Sequence, residues 1–384
     1  MKGRYRIAIV GAGITGLTLA ALLARGRNAD ALEIVVIDGA ARPGFSIGDD
    51  IALRVSAIAN GSADLLNSVG AWPAIVAARV SPFEAMRVWD ENDSPDSASA
   101  VRFAAAEFAV PQLGFIVENA LIQHALLAVL DNCDVHLSFE STIESLPDAD
   151  LVVGADGARS AVRKFSGIET SLWPYEQTAV VTHLKTERKH GAMARQRFLR
   201  DGPLGMLPLA DGRISVVWST NPETARQALA SSDEELGRIL TIATDRVLGE
   251  LTVAGPKGAF SLCAQYANEY VLPGIALIGD AAHAIHPLAG QGANLGLQDA
   301  AELASVLDAA IAGGQHPGDR PVLRRYERAR KGANLTMLHF MTGLNSLFAT
   351  NSALLGELRR AGMHLFNRSG PIRERAVKVA LGIQ

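Results

Sequence analysis

Apolar residues along this chain keep two rhythms. Short, nearly unbroken apolar runs occur at Arg6 to Val10, Glu33 to Ile37, Leu151 to Val153 and Ile275 to Ile278. Such runs suit strands buried on both faces of a parallel sheet. Helical spacing comes after the first run, through Leu17, Leu19, Leu22 and Leu23. It recurs from about Ala293 through Leu295, Leu303, Leu307, Ala310 and Ile311, with Asp299 and Glu302 where a helix's positive end favours carboxylates. Between these regions Ala179 to Leu184 and Arg213 to Ser219 have strand character, and a polar, helix-like stretch from Asn221 to Leu251 is expected to cover them. Near the end, Leu335, Met337, Leu338, Phe340, Met341, Leu344, Leu347 and Phe348 make a wide apolar stripe at helical spacing. The pattern predicts an α/β protein.

The residues just past each strand carry the chemistry. The first strand runs straight into Gly11-Ala-Gly13-Ile-Thr-Gly16 and a helix, the dinucleotide fingerprint in its strand-turn-helix context. Gly11 permits the tight turn, Gly13 lets a pyrophosphate approach the backbone, and Gly16 lets the helix lie close to the strand. The second strand ends in Asp38, placed to accept hydrogen bonds from ribose hydroxyls. The fingerprint alone does not separate NAD from FAD. The run at Leu151 leads to Gly154-Ala-Asp156-Gly157-Ala-Arg159-Ser160-Ala-Val-Arg163, and the run at Ile275 ends in Gly279-Asp280. Beyond Asp280, His283-x-x-His286-Pro287 leads into glycines on the N-terminal side of the expected helix, where free N–H groups collect.

Bulk properties narrow the classes. At 384 residues, with 48% apolar residues and 36 glycines, the chain suits two domains, or one with a large insertion, rich in tight loops. The net charge of −4 and the lack of a basic tract give no nucleic-acid footprint. Cys133 and Cys263 are far apart, so neither a disulfide framework nor a thiolate metal site is indicated. No apolar run reaches eighteen residues, so no membrane span is expected. His283 and His286 lack a third ligand nearby, and no metal is expected. Ser160 has no Gly-x-Ser-x-Gly elbow, which disfavours a hydrolase. Ser94 to Ser99 is the one loop with linker composition.

Taken together, GAGITG, ADGARSAVR and LIGDAAHAIHPLAGQGANLGLQDA resemble the flavoprotein aromatic hydroxylases of the para-hydroxybenzoate hydroxylase class. Ala52 to Trp72, Gly202 to Thr220 and Tyr326 to Phe348 are further similar to the ubiquinone-biosynthesis hydroxylases, the UbiH- and UbiF-like branch of that class. The resemblance implies a Rossmann-like FAD-binding domain (1–175 and 265–330), an inserted β-sheet substrate domain (176–264) and a helical C-terminal tail (331–384). It implies FAD as cofactor and NAD(P)H as electron donor. By position it assigns Gly11, Gly13, Gly16, Asp38 and Arg54 to the ADP and phosphate side of FAD. Gly279 and Asp280 fall to the ribityl chain, and Asp156, Gly157 and Arg163 to FAD and NAD(P)H. Gly290, Gly292, Ala293 and Asn294 would bring backbone N–H groups to the flavin ring. Catalytic roles fall to Pro287, against the flavin face, and to Gly292, at the helix N-terminus that stabilises reduced flavin. The implied reaction is ring hydroxylation of a polyprenylated phenol by O2 through a flavin C4a-hydroperoxide. A soluble aromatic substrate, or a flavin-binding assembly subunit of a quinone-biosynthesis complex, are the alternatives. The expected location is the cytoplasm, with peripheral contact at the inner face of the membrane through the apolar and basic tail.

Overall fold

The computed structural model describes residues 4–286 and 291–349, with single positions at 365, 369, 370, 373 and 374. A six-stranded sheet forms the first layer, in the spatial order Val271–Leu272, Ile275–Leu277, Leu151–Gly154, Tyr5–Val10, Leu32–Ile37 and Val135–Ser138. All are parallel except the Val271–Leu272 edge. Ile7, Ile9, Val36, Leu151, Val153 and Leu277 are almost fully buried. They are covered by helices Ile14–Ala24, Asn119–Leu130 and Gln291–Ala312, which explains why these strands read as continuous apolar runs.

The second sheet is mainly antiparallel and is built around Thr170–Thr186, Met193–Leu199, Gly202–Pro208, Ile214–Thr220 and Gly258–Ala267. Its strands alternate with period two. Val180, Leu204, Met206, Ile214, Val216 and Trp218 point to one face and form a separate core. Helices Pro222–Ala230 and Asp233–Ala243 close that core with Ala225, Ala228, Leu236 and Leu240. The expected single stretch from Asn221 to Leu251 is thus two helices, each started by its own side-chain cap, Asn221 to the Thr224 N–H and Ser232 to the Glu235 N–H.

Other boundaries also differ from the sequence expectation. Strands Ala85–Asp90 and Val101–Ala104, far from 176–264 in sequence, extend the second sheet, with Ala85–Asp90 parallel to Met193–Leu199. Ser94 to Ser99 is the connection between those two strands, tied by Ser99 to Asp93 and by Asp96 to Arg87, and not a linker. Arg320–Ala349 is one continuous helix, so the division expected at 330/331 falls inside an element. Its apolar stripe packs inward through Leu338 and Met341, leaving Phe340 exposed.

Candidate functional site

Four neighbouring parallel strands end at one edge of the first sheet, and each leads into a residue singled out above. Tyr5–Val10 leads to Gly11, Leu32–Ile37 to Asp38, Leu151–Gly154 to Asp156, and Ile275–Leu277 to Gly279-Asp280. The ends are stitched together by Gly11 N–H to the Ile37 carbonyl (2.7 Å), Ala155 N–H to Val10 (2.7 Å) and Ile278 N–H to Gly154 (2.9 Å). Ligands of open α/β sheets bind at such a carboxyl edge. Here it opens into a cavity of about 1130 Å3 whose opposite wall is the second sheet.

Glycines show which walls the protein itself does not need. At Gly11, φ is +109° and a β-carbon would lie 2.3 Å from the Ala155 carbonyl oxygen; at Gly16 it would lie 2.0 Å from that of Gly11. Both are required by the fold. A β-carbon at Gly13 or Gly292 would meet nothing within 4 Å, although neither has a left-handed backbone. Both open onto the cavity, which is what close approach of a ligand to the backbone demands.

The charged groups divide in the same way. Asp38 already accepts the N–H groups of Ala12 (2.6 Å) and Ala40 (2.7 Å), so its carboxylate is fixed at the cavity edge. Asp156 accepts from Ala161 and Val162 through one oxygen, while its other oxygen is buried without a partner among the described residues. Asp280 is exposed and lines the cavity, yet the protein around it desolvates its carboxyl and pushes it above the usual carboxylate range, against the pull of His283 and Arg54. Arg54 lies over the Phe260 ring and, among the described residues, forms no ion pair. A free guanidinium, an under-partnered carboxylate and bare glycine backbone in one elongated cavity fit a dinucleotide, with its anionic pyrophosphate and hydroxyl donors.

Gly157 and Ala293 also line this cavity, which therefore gathers nine of the expected cofactor residues. Four others do not line its wall; for Gly16 this matches the helix-packing role expected of it. Gly16 and Gly279 serve packing: a β-carbon at Gly279 would come within 3.1 Å of Thr15 Oγ1, and φ there is +57°. Arg163 donates to the carbonyls of Ala281 (2.8 Å) and Ala158 (2.7 Å), so its guanidinium braces two turns. Asn294 accepts from Ala59 N–H and donates to the Ala57 carbonyl, which locks its side chain to strand Val55–Ala59. The helix expected from Ala293 begins at Gln291, so Gly292 lies in its first turn and Gly296 packs on Thr15. Pro287 and Gly290 lie outside the described residues.

Asp299, which the pattern places in an early turn of a helix, is fully buried. It pairs with His283, accepts from Gly279 N–H (3.1 Å), and binds Arg330 (2.8 Å) and Asn334 (3.0 Å) of helix Arg320–Ala349. Burial alone would raise its pKa, but His283 and Arg330 hold the carboxyl below the usual range. This network anchors the turn that carries Asp280. Its one local signal is an Asp in an otherwise apolar helix face. Arg79 belongs to no motif, yet it pairs with buried Glu118 (2.6 Å) and donates to the carbonyls of Ile47 and Asp49, pinning the loop before Arg54. His286 borders the cavity and bonds Gln177 Oε1 through Nε2 (3.1 Å); burial lowers its pKa to about 4, so the ring is neutral.

The FAD binding domain family matches residues 132–340, and the NAD(P)-binding Rossmann-like domain family matches residues 9–53. Escherichia coli 3-demethoxyubiquinol 3-hydroxylase is 35% identical over 394 residues, covering 98% of each chain. The ubiquinone hydroxylase UbiL of Rhodospirillum rubrum is 35% identical over 397 residues, covering 98% of this chain and 89% of its own. The solved structure of Pseudomonas aeruginosa PqsL with 2-aminobenzoylacetate superposes with a TM-score of 0.77 at 21% identity, over 94% of this chain and 99% of that one; this likeness concerns the fold alone.

Proposed function

This chain belongs to the ubiquinone-biosynthesis hydroxylases, a branch of the FAD-dependent aromatic monooxygenases, and on that premise we propose that it hydroxylates the ring of a polyprenylated phenol. The observation that carries the substrate reading is the apolar wall facing the FAD edge: Phe83, Met86, Ile116, Ala179, Val181 and Leu207 line the same cavity as Asp280 and Arg54. Burying a hydrocarbon chain there gains about 0.8 kcal/mol per CH2.

Bound FAD supplies the chemistry of reduction by NAD(P)H and activation of O2. The chain's own residues hold and shield it. Asp38 would take the adenosine ribose, the bare backbone at Gly13 would admit the pyrophosphate, and Arg54 would offset its charge. Asp280 would accept from the ribityl hydroxyls, and the first N–H groups of helix Gln291–Ala312, at Gly292 and Ala293, would serve the flavin ring with the helix dipole behind them. His286 stays neutral. Gln177 donates its Nε2 to the Asp201 carbonyl (2.7 Å), so its Oε1 accepts from His286 Nε2–H, and His286 Nδ1 is left as an acceptor. The apolar wall excludes water from the reacting ring.

No helix among the described residues is long and apolar enough to cross a membrane. Contact with a membrane surface, from which a prenylated substrate is drawn, is supported by exposed Leu172, Trp173 and Phe340; the Tyr175–Thr342 bond (2.8 Å) brings their two elements together. Flotation with anionic vesicles at low salt tests that contact, and failure to float would leave the surface to partner proteins. The function itself is tested by mass: with FAD, NAD(P)H and isotopically heavy O2, a prenylated phenol should gain one labelled oxygen atom. NAD(P)H oxidation with no labelled product would overturn the hydroxylase reading.

A further inference from the structure

On the cavity face of the second sheet, register places Gln196 beside Gly205, Gly205 beside Val217, and Val217 beside Val181. Residues paired across strands point to the same side, so these four form one row over the cavity. Gly205 is the gap in that row. Its backbone is not left-handed, and a β-carbon there would meet only the Val217 carbonyl oxygen, at 3.8 Å. Neither strain nor crowding explains glycine in the middle of a strand, whereas close approach of a ligand does. A planar ring fits over such a notch.

Gln196 stands at the end of the row. It is 8% exposed, and its amide has no hydrogen-bond partner among the described residues. Unlike Ser215 Oγ and Gln265 Nε2, which are sealed off, neither end of this amide is closed to the cavity. A buried amide left unpaired is costly, so its occupant must carry a polar atom. The adjacent cation, Arg195, also lines the cavity, but it is paired in register with core residue Met206 and commits its Nη1 to the His190 and Met193 carbonyls. Arg197 bonds the carbonyls of Ala243 and Glu91.

We propose that the substrate ring seats on the row Gln196, Gly205, Val217 and Val181, and that the Gln196 amide reads a neutral ring oxygen, hydroxyl or methoxy, in preference to a ring carboxylate. An amide both donates and accepts, so it serves either neutral oxygen, but it leaves a carboxylate's charge uncompensated in a low-dielectric wall. This rests on the prenylated-phenol reading above and adds the ring substituent to it.

The test uses FAD-loaded protein without NAD(P)H, so that no turnover occurs, and reads binding from the change in flavin absorbance. Three short-chain prenylated phenols are titrated: one with a ring methoxy group, one without it, and one with a ring carboxylate in its place. Wild type should bind the methoxy compound roughly tenfold more tightly than the plain one, and the carboxylate most weakly. In Gln196→Leu the methoxy preference should vanish at unchanged FAD content. Gly205→Val should weaken all three at least tenfold, again with FAD retained. A methoxy preference that survives in Gln196→Leu, or a carboxylate bound as tightly as the methoxy compound, would overturn the assignment of Gln196. Wild type that binds none of the three while loaded with FAD would instead overturn the prenylated-phenol reading itself.

Discussion

The two walls of the cavity hold their polar groups by opposite means. At the carboxyl edge of the first sheet, Asp38 and Asp156 are loaded with backbone N–H groups, Gly11 is forced by its φ of +109°, and the turn bearing Asp280 is tied to a buried ion network. On the second sheet the cavity face mixes apolar residues with neutral polar ones, Gln196, Ser215, Ser219 and Gln265 among them, and with a glycine that the fold does not require. One wall is set by backbone geometry and tolerates almost no change. The other is set by side-chain shape, so its specificity can alter while the fold stays intact.

That contrast can be broken by mutation, and the largest effect is expected behind the first wall. Asp299→Ala leaves the half-buried Arg330 without its fully buried carboxylate partner and should cost about 3 kcal/mol of stability, measured by denaturant unfolding of the apoprotein. A loss below about 1 kcal/mol would show that the network does not anchor the Asp280 turn. Next come two glycines treated alike. Gly11→Ala places a β-carbon against the Ala155 carbonyl and should cost about 3 kcal/mol or more, with loss of FAD, while Gly205→Ala should change stability by no more than about 1 kcal/mol in either direction. Equal losses would erase the difference between the walls.

His286 sits at the seam and gives a pH test. Its folded pKa, about 4, lies below the unfolded value, so it contributes stability that is fully present above about pH 6.5 and is lost as pH falls toward 4, on the order of 3 kcal/mol. In His286→Gln that part of the acid-side slope should disappear; an unchanged slope would mean the loss comes from other groups. A smaller effect is expected at Asp280. Because desolvation raises its pKa, it loses its charge at a higher pH than an ordinary carboxylate, and FAD affinity should fall as pH drops through that range in wild type but not in Asp280→Asn. Parallel pH profiles for the two proteins would remove Asp280 from the site.

The first wall is largely legible in the sequence, because a strand end leading into Gly-x-Gly-x-x-Gly or Gly-Asp fixes both conformation and chemistry within a few residues. Position does not reveal direction, however. Arg163 and Asn294 occupy the expected places, yet tertiary hydrogen bonds turn their side chains into braces. Asp299 fits a helix N-terminal turn by pattern, and only the packing of helix Arg320–Ala349 against it shows that it is buried. The second wall is hardly legible. Gln196 and Gly205 lie in different strands, and nothing local marks them as neighbours until register is known. The recruitment of Ala85–Asp90 to that sheet is likewise a long-range pairing that alternation alone does not announce.

The most direct measurement is a crossed pair of titrations: FAD into apoprotein, and a methoxy-substituted prenylated phenol into fully FAD-loaded protein, for wild type, Asp280→Asn and Gln196→Leu. The account predicts that Asp280→Asn weakens FAD roughly tenfold and leaves the phenol affinity of loaded protein unchanged, while Gln196→Leu weakens the phenol roughly tenfold and leaves FAD unchanged. If Gln196→Leu lowered FAD affinity, or if Asp280→Asn altered only the phenol, the two walls would not divide cofactor from substrate and the account would be wrong.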